Sequence, residues 1–394
     1  MTNLPQGWEW KSLGEICFIT DGTHKTPNYI ETGIPFLSVK NISKGFFDLS
    51  DVKYISLEEH NKLIKRAKPE FEDILICRIG TLGKAIKISL EFEFSIFVSL
   101  GLLKPKVKII SDYLVYFLNS YFIEGWINDN KVGGGTHTAK LNLNILEKCP
   151  IALPPLKEQE RIVGILDESF AKIDESIKIL EQNLLNLDEL MQSALQKAFN
   201  PLKDNAKENY KLPQSWEWKS LEEISENISA GGDKPKNCTE SKTAKNQIPV
   251  YANGVNNNGL VGYTDKATII KPSLTISARG TIGFVCIRKE PYFPIVRLIS
   301  LIPCENILCL HYLYFCLNFF IAKGEGSSIP QLTIPKFKSL QIPLPPLKEQ
   351  EQIAKHLDFV FEKTKALKEL YTKELKDYEE LKQSLLNKAF KGEL

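Results

Sequence analysis

The octapeptide "LPPLKEQE" occurs twice in the chain, at Leu153–Glu160 and again at Leu344–Glu351, 191 positions later. Its paired prolines end a strand or extended segment, and the charged residues that follow favour the first turns of a helix. Acidic side chains at that place also lie near the positive end of the helix dipole. Each copy therefore predicts the point at which a folded block ends and a helix begins.

The duplication extends over most of the chain. "LPQGWEWKSLGEI" begins at Leu4 and "LPQSWEWKSLEEI" at Leu212, whereas "RIGTLG" from Arg78 is matched by "ARGTIG" from Ala278. The offset between the copies changes inside the blocks and stays at 191 across the segments that follow them. A repeat of roughly two hundred residues is too long for a solenoid unit, so it predicts two like domains joined by like helices.

The predicted division is block A at residues 1–150, helix A at 151–205, block B at 206–342 and helix B at 343–394. Apolar and β-branched runs alternate with helical patterns inside the blocks, which favours mixed α and β structure. The predicted fold class is α+β: two similar mixed α/β domains separated by two long α-helices. We expect these helices to pair as an antiparallel coiled coil, because that direction gives the molecule a pseudo-two-fold axis.

Helix A contains no proline and only one glycine, Gly164, between Lys157 and Phe199. Its apolar residues recur at steps of four and three, the pattern of a coiled-coil seam, and helix B has a looser version. At about 1.5 Å per residue each helix would be ~65 Å long. The predicted seam positions are Leu166, Ile173, Ile177, Leu180, Leu184, Leu187 and Met191 in helix A, and Leu357, Leu367, Leu375 and Leu385 in helix B.

Composition excludes several classes of protein. The chain is 43% apolar and 25% charged, as expected of a globular protein. Its eight cysteines form no Cys-x-x-Cys pair, so neither a zinc site nor a disulfide framework is indicated. The N-terminus has no basic start followed by an apolar run, and we expect a cytoplasmic protein without a membrane span. Residues 205–342 hold 16 Lys and Arg against 11 Asp and Glu, a weak indication of nucleic-acid binding.

Two loop motifs could contact DNA. "DGTHKTP" at Asp21–Pro27 combines hydroxyls, an imidazole and a cation, which suit base edges and phosphates. "KVGGGTHTAKLN" at Lys131–Asn142 is matched by "AKGEGSSIPQLT" at Ala322–Thr333, and its glycines allow close approach of a ligand. The alternatives are a loop histidine without chemistry and a mobile surface loop.

Other motifs have structural explanations. "RIGTLG" and "ARGTIG" are neither dinucleotide-binding nor Walker loops, and a tight turn between strands is favoured over a binding loop. The alternating "WEWK" near the start of each block favours packing on an edge strand, with stacking on an extruded base as the alternative. No Walker A sequence, metal-ligand cluster or Asn-Pro-Pro-aromatic methyltransferase motif is present. The sequence therefore predicts a non-catalytic chain with no catalytic or metal-binding residues.

These features together resemble one known family. Two blocks that each open with "LPxxWxWxxLxEI" and end in "LPPLKEQE", with "DGTHKTP" and "GIPFLSVKNI" in the first, resemble the specificity subunit of type I restriction-modification enzymes. The resemblance covers essentially the whole chain. It rests on the combination of motifs, since each element alone is weak.

The resemblance implies two target-recognition domains, each contacting one half of a split, asymmetric double-stranded DNA site. On this basis the residues predicted to contact DNA are Thr23, His24, Lys25, Lys40, Asn41, Thr136, His137 and Lys140 in block A, and Lys234, Lys236, Asn253, Arg279, Ser327, Ser328 and Gln331 in block B. The helices would fix the gap between half-sites and dock two methyltransferase subunits. Adenine-specific DNA methyltransferase and type I site-specific deoxyribonuclease activities would belong to the complex, with S-adenosylmethionine, ATP and Mg on partner subunits and no cofactor in this chain. Whether two restriction/translocase subunits also join stays open.

Two functions of other classes remain as alternatives. One is a self-contained DNA methyltransferase or nuclease with unrecognised motifs, which would transfer methyl groups or cleave DNA without partners. The other is an adaptor whose coiled coil joins two protein-binding domains and which does not bind DNA. Salt-dependent DNA binding of the assembled complex distinguishes this adaptor from a specificity subunit.

Overall fold

A computed structural model of the chain describes residues 4–134, 139–199, 212–321 and 332–394, together with the backbone of 324–325. The chain forms two compact units. Unit 1 comprises Met1–Leu180 and Thr372–Leu394, and unit 2 comprises Glu181–Tyr371. Each unit thus contains one of the predicted blocks together with part of both long helices, a grouping by contact that differs from the sequence division into blocks and helices.

Unit 1 contains the first half of the elements in chain order. The strands are β1 (Glu9–Ser12), β2 (Cys17–Asp21), β3 (Ile34–Leu37), β4 (Lys53–Ile55), β5 (Ile74–Cys77), β6 (Ala85–Lys87), β7 (Ser95–Ile96), β8 (Leu100–Pro105) and β9 (Pro150–Leu153). The helices are α1 (Leu13–Ile16), α2 (Leu57–Leu63), α3 (Ser111–Leu118), α4 (Tyr121–Asn130), α5 (Leu143–Leu146) and the first part of α6 (Leu156–Phe199).

Unit 2 contains the second part of α6 and the remaining elements. The strands are β10 (Glu217–Ser220), β11 (Ser225–Ala230), β12 (Ile248–Tyr251), β13 (Leu260–Thr264), β14 (Ser273–Ile276), β15 (Thr281–Ile282), β16 (Val285–Arg288), β17 (Phe293–Pro294), β18 (Ile299–Pro303), β19 (Gly324–Glu325) and β20 (Gln341–Leu344). The helices are α7 (Leu221–Ile224), α8 (Leu310–Phe320), α9 (Ile334–Lys338) and α10 (Leu347–Ala389), which continues into unit 1.

The sheets of the two units have the same strand order, which confirms the internal repeat. A four-stranded sheet has the order β2-β8-β5-β6 in unit 1 and β11-β18-β14-β16 in unit 2. A three-stranded sheet has the order β4-β3-β7 or β13-β12-β17, with one parallel and one antiparallel pairing in each. Each unit also pairs its opening "EWKS" strand with the strand that precedes "PPLKEQE", β1 with β9 and β10 with β20.

Local sequence explains how each block starts. Ser12 N donates to Glu15 Oε2 at 2.6 Å, and Ser220 N donates to Glu223 Oε2 at 2.8 Å. These capping boxes satisfy orphan donors at the start of α1 and α7. The strand β1 or β10 therefore ends at the serine, and a single helical turn leads the chain into the main sheet.

Two runs that the sequence suggests are continuous are divided in the structure. The apolar run from Phe94 to Leu103 forms β7 and β8, because Phe97 N donates to Leu37 O and the chain then turns into the other sheet. The apolar stretch 111–122 is divided between α3, which ends at Leu118, and α4, which begins at Tyr121. Asn119 lies directly after α3, and its side chain donates to Ala85 O at 2.8 Å.

The glutamine of "LPPLKEQE" ties each long helix to its own domain. Gln159 Oε1 accepts a hydrogen bond from Ile110 N, and Gln350 Oε1 accepts one from Cys309 N, both at 2.9 Å. Both glutamines are buried. Each also donates back to a proline carbonyl just before the helix, so this side chain joins the helix start to the start of α3 or α8.

The core of each unit is completed by the far end of a long helix. The Phe390 ring lies 5.6 Å from Tyr113 in unit 1, and the Phe199 ring lies 5.6 Å from Tyr312 in unit 2, measured between centroids. These tyrosines also donate hydrogen bonds to equivalent carbonyls that precede α6 and α10. The C-terminus of α10 therefore packs in unit 1 as the C-terminus of α6 packs in unit 2.

The two long helices pack against each other within each unit, and their direction is antiparallel. In unit 1, Lys382 Nζ donates to Asp174 at 2.5 Å. In unit 2, Lys368 bonds to Asp188. Because the partner number on α10 falls as the number on α6 rises, the coiled coil has the predicted antiparallel direction.

The predicted seam matches the burial of most positions. Leu166, Ile173, Leu180, Leu187 and Leu357 are buried, while Ile177, Leu184, Met191, Leu375 and Leu385 are half-buried. Leu367 is a correction: it is 38% exposed, and Thr364 takes the buried position on that turn. The Thr364 hydroxyl can be buried because it donates to Val360 O at 2.7 Å.

Candidate nucleic-acid interface

Several loops of unit 1 meet around Ser99, in the turn between β7 and β8. Arg78 N donates to Ser99 O at 2.8 Å, and Val39 N donates to Ser99 Oγ at 3.1 Å. Leu141 N donates to Arg78 O at 2.9 Å. The loops that follow β3 and β5, together with the segment before α5, are therefore fixed to one another at this end of the unit.

A buried carboxylate holds a fourth loop, "DGTHKTP", in the same place. Asp21 is 1% exposed, and its carboxylate accepts hydrogen bonds from both Arg66 and Arg78. The ring Nε2 of His24 lies 3.1 Å from Asp21 Oδ2. Burial alone would raise the pKa of Asp21, but the hydrogen bond from Arg66 and the charge of Arg78 outweigh it and lower that pKa. The carboxylate therefore stays ionised and balances the charge of one of the two arginines, so the cluster keeps a net positive charge.

This network brings five of the predicted DNA-contacting residues of block A to one end of unit 1. Thr23 Oγ1 accepts a hydrogen bond from Lys25 N at 3.2 Å, which shapes the turn. His24 and Lys25 are exposed, and they line a shallow cleft with Lys62 and Arg66. The side chains of Lys40 and Lys140 are also exposed, next to the residues that bond to Ser99 and Arg78. The arrangement presents cations and hydroxyls that suit a phosphate backbone.

Asn41 has a different position from the one expected of a base-contacting residue. It is buried, its Oδ1 accepts from Ser38 N at 2.9 Å and its Nδ2 donates to Asp48 O at 3.0 Å. Both ends of the amide are used inside the protein, so Asn41 shapes the loop after β3. Thr136 and His137 lie outside the described residues.

The loops of unit 2 converge in the same way, with Asn253 at their centre. Its Oδ1 accepts from Ala278 N at 2.8 Å, and its Nδ2 donates to Val296 O at 2.6 Å. Val296 N in turn donates to Gly232 O at 2.8 Å. The predicted role of Asn253 therefore needs the same correction as that of Asn41, since its amide fastens three loops together.

The other predicted residues of block B lie on these loops where they are described. Lys234, Lys236 and Arg279 are exposed. Lys25 and Lys234 occupy equivalent places, because each lies three residues after a glycine with an equivalent hydrogen bond. Gly22 N donates to Leu100 O at the start of β8, and Gly231 N donates to Leu298 O just before β18. Ser327, Ser328 and Gln331 lie outside the described residues.

The buried ion pair of unit 1 is absent from the equivalent place in unit 2. Asp21 ends β2 and Ala230 ends the equivalent strand β11. Arg78 is the first residue after β5, and Ala278 is the second residue after the equivalent strand β14. Ala278 O still accepts from Leu332 N, as Arg78 O accepts from Leu141 N. The acid and the base are therefore replaced together, which avoids leaving an unpaired buried charge.

Sequence reasoning missed residues that the structure places at these ends. Arg66 is the clearest case in unit 1, because nothing in the local sequence connects it with Asp21. In unit 2, Val296 and Arg297 are exposed and have φ of 52° and 58°, a conformation that is rare for a valine. The exposed run Asn256–Asn258 belongs to the sequence "NGVNNNG", whose composition is typical of a turn. Asn253 was the only residue of this sequence that was predicted to contact DNA.

The arrangement exposes cations, hydroxyls and amides, the kinds of group that contact a phosphate backbone or base edges. In the described part of the chain, no group of three or more His, Cys, Asp or Glu side chains could hold a metal ion. No helix among the described residues is long and apolar enough to span a membrane.

Comparison with known proteins identifies the family. The family model described as the type I restriction modification DNA specificity domain matches residues 5–185 and 213–377, one match for each copy of the repeat. Together these matches cover most of the chain.

Relatives agree with this assignment. A putative type I specificity subunit of Mycoplasma pneumoniae, S.MpnORF507P, is 31% identical over 272 residues, which is 68% of this chain and 69% of the relative. The StySPI specificity subunit of Salmonella potsdam is 25% identical over 431 residues, covering 99% of this chain and 90% of the relative.

Solved structures share the fold. A chain from a structure of complex assembly in the type I R-M system matches with a TM-score of 0.83 and 21% identity, and all of both chains is covered. The HsdS subunit of Thermoanaerobacter tengcongensis matches with a TM-score of 0.61 and 22% identity, covering 100% of this chain and 99% of that one. With a doubled domain, a doubled helix and a matched family model for each copy, the chain belongs to the family of type I restriction-modification specificity subunits.

Proposed function

We propose that each unit recognises one half of a bipartite, asymmetric DNA sequence. The observation that carries this proposal is that the two units have the same strand order but different loops at the equivalent end. Unit 1 exposes Lys25, Lys40 and Lys140 there, whereas unit 2 exposes Lys234 and a run of asparagines. Because different side chains recognise different bases, unlike loops on like scaffolds should select unlike half-sites.

The two long helices would set the gap between the half-sites. Both α6 and α10 contribute to both units, and they are 44 and 43 residues long. Antiparallel pairing supports this role, since ion pairs join the helices within unit 1 and within unit 2. A continuous helix pair is a stiff connection, which suits a fixed spacing better than a flexible linker would.

The same helices would dock two methyltransferase subunits. Large apolar side chains outside the seam are exposed along both of them, and such side chains favour a protein partner. These residues are Leu156, Ile179, Leu185 and Leu190 on α6, and Phe359, Leu370 and Leu381 on α10. The partners would supply adenine methylation with S-adenosylmethionine, and restriction subunits, where present, would supply ATP- and Mg-dependent cleavage.

The proposal is tested by mapping methylated adenines across the genome of a host that expresses this chain with its methyltransferase subunit. We expect one motif made of two unlike short sequences separated by a constant number of unspecified bases. The matched control expresses the methyltransferase subunit alone and should give no motif. A single continuous motif, or the same motif without this chain, would contradict the proposal.

A second arm addresses the alternatives to a recognition subunit. The purified chain is incubated with DNA and S-adenosylmethionine in the absence of partners, and methyl transfer under these conditions would indicate a self-contained enzyme. DNA affinity of the assembled complex is then measured over a range of salt concentrations. Binding that is insensitive to salt, or absent, would support an adaptor without DNA contacts.

A further inference from the structure

The loop between β12 and β13 has a well-fixed backbone. Ala252 N donates to Gly259 O at 2.8 Å, and a Cβ added at Gly259 would lie 2.4 Å from Ala252 O. Asn257 and Asn258 have φ of 47° and 52°, in the left-handed region that asparagine tolerates better than most residues. The glycines and asparagines of this loop therefore permit the conformation that it adopts.

The buried side chain of Arg288 holds this loop in place. The arginine is buried, with Nε donating to Thr275 Oγ1 at 2.9 Å and Nη2 donating to Asn258 O at 2.5 Å. Its guanidinium also lies 3.6 Å from the centre of the Tyr251 ring, which is a cation–π contact. Asn253 and Gly254 anchor the other side of the loop to the turn after β14.

The side chains of three consecutive asparagines in this loop are exposed. Asn256, Asn257 and Asn258 are exposed, and Val255 beside them is 45% exposed. None of these three amides has a hydrogen-bond partner within the part of the chain that the structure describes. An asparagine amide can bond to N6 and N7 of adenine in the major groove, and an apolar side chain can contact the methyl group of thymine.

The equivalent loop of unit 1 has different chemistry. The residues after β3 present Lys40, Lys44 and Phe46 outward, and the buried amide of Asn41 holds that loop. Lysine favours O6 and N7 of guanine or the phosphates. The two loops therefore occupy the same place in the repeat but offer cations in unit 1 and neutral amides in unit 2.

We propose that Val255–Asn258 is a base-contacting element of unit 2, that its asparagine amides bind adenine in A·T pairs through the major groove, and that Arg288 is the residue that positions it. This proposal rests on the proposed function, since it assigns the contact within a half-site. The proposal requires that the half-site bound by unit 2 contains at least one A·T pair recognised through adenine N7.

The direct test uses the wild-type chain assembled with its methyltransferase subunits and DNA duplexes that contain the mapped target. Each adenine is replaced in turn by 7-deazaadenine, which keeps base pairing but lacks the N7 acceptor. We expect at least one replacement within a single half-site to weaken binding by about tenfold or more. No effect at any adenine would overturn the proposal.

The loop variant shows whether such an effect comes from these residues. Asn256→Ala with Asn257→Gly and Asn258→Gly removes the amides while glycine keeps the left-handed backbone. In this variant the 7-deazaadenine effect should disappear at that position, whereas discrimination at the other half-site stays unchanged and shows that the complex is assembled. If every 7-deazaadenine effect survives in the variant, the contact belongs to another group and the proposal is wrong.

Arg288→Met tests the positioning role. We expect it to reduce discrimination at the same A·T pair by about tenfold while binding to DNA without the target is unchanged, and Arg288→Lys should recover part of the discrimination. Loss of binding to all DNA, specific and non-specific alike, would contradict a positioning role. A wild-type complex that prefers no sequence at all would overturn the proposed function as well, which separates that failure from failure of the loop assignment.

Discussion

Gln159 accepts a hydrogen bond from the backbone N–H of Ile110 at 2.9 Å, across 49 residues of sequence. The same side chain donates to Pro154 O, immediately before its own helix. One buried amide thus joins the segment between β9 and α6, the start of α3 and the start of α6. Gln350 makes the equivalent contacts in unit 2, and this explains why the repeated octapeptide keeps its glutamine.

Replacement of this glutamine should destabilise one unit selectively. Gln159→Met keeps the approximate size of the side chain but leaves Ile110 N without its acceptor, and an unsatisfied buried donor costs about 1–3 kcal/mol. Hydrogen exchange should show faster opening of α3 and the first turns of α6, with little change in unit 2. Gln192→Met is the matched control, because Gln192 is exposed on the same helix. Equal effects of the two substitutions would refute the joining role.

The Asp21–Arg78 pair can be compared with the two alanines that stand at the equivalent positions of unit 2. Asp21→Ala leaves Arg78 buried without its carboxylate, and loss of one partner of a buried pair costs about 3–5 kcal/mol. The double variant with Arg78→Ala reproduces the two alanines found at Ala230 and Ala278. We expect it to be less destabilised than the sum of the single variants in chemical denaturation. Additive losses would mean that the two side chains act independently.

Phe390, which directly follows α10, should be essential for the stability of unit 1. Phe390→Ala removes a ring that packs against Tyr113 and Phe117, and such cavities cost about 3–5 kcal/mol. Phe359→Ala within α10 is the control, since Phe359 is 60% exposed. Hydrogen exchange should show loss of protection in unit 1 for the first variant only. Unchanged protection around Tyr113 would contradict the role of α10 in completing that core.

Matched deletion of seven residues from each long helix tests the spacing role. Because the helices are antiparallel, the segments removed are 174–180 of α6 and 376–382 of α10, which face each other as the Asp174–Lys382 contact shows. Seven residues shorten a helix by about 10 Å, or about three base pairs of DNA. Methylation mapping should find the same half-sites closer together by that amount. An unchanged gap would refute the role of the helices as a spacer.

Much of the fold could be predicted from the sequence because the sequence contains an internal repeat. The matching motifs located both copies of the domain and both helices, and the expected pseudo-two-fold axis gave the antiparallel direction. "RIGTLG" forms the turn between β5 and β6 as expected, whereas "ARGTIG" lies between β14 and β16 but includes the short strand β15. The glycines of both motifs have φ of 71° to 83°. Leu367 was assigned wrongly because periodicity favours leucine over threonine. The buried hydroxyl of Thr364 is satisfied by the helix backbone, which a hydrophobic pattern cannot indicate.

The candidate site was harder to predict, for a physical reason. Asn41 and Asn253 are polar loop residues, and composition does not distinguish an amide that binds DNA from one that fastens the loop. Arg66 contacts Asp21 across 45 residues of sequence, so no local pattern connects them. Lys25, Lys40 and Lys234 are exposed, as is usual for lysines in connecting segments, and their contact with DNA stays a prediction.

Exchange of one block tests most directly that each unit recognises its own half-site. Residues 5–150 are replaced by the matching block of the Salmonella potsdam relative, joined at the shared helix start, and methylated adenines are mapped in a host that also expresses the methyltransferase subunit. We predict that one half-site changes while the other half-site and the gap between them stay the same. A change in both half-sites, or in neither, would contradict the account.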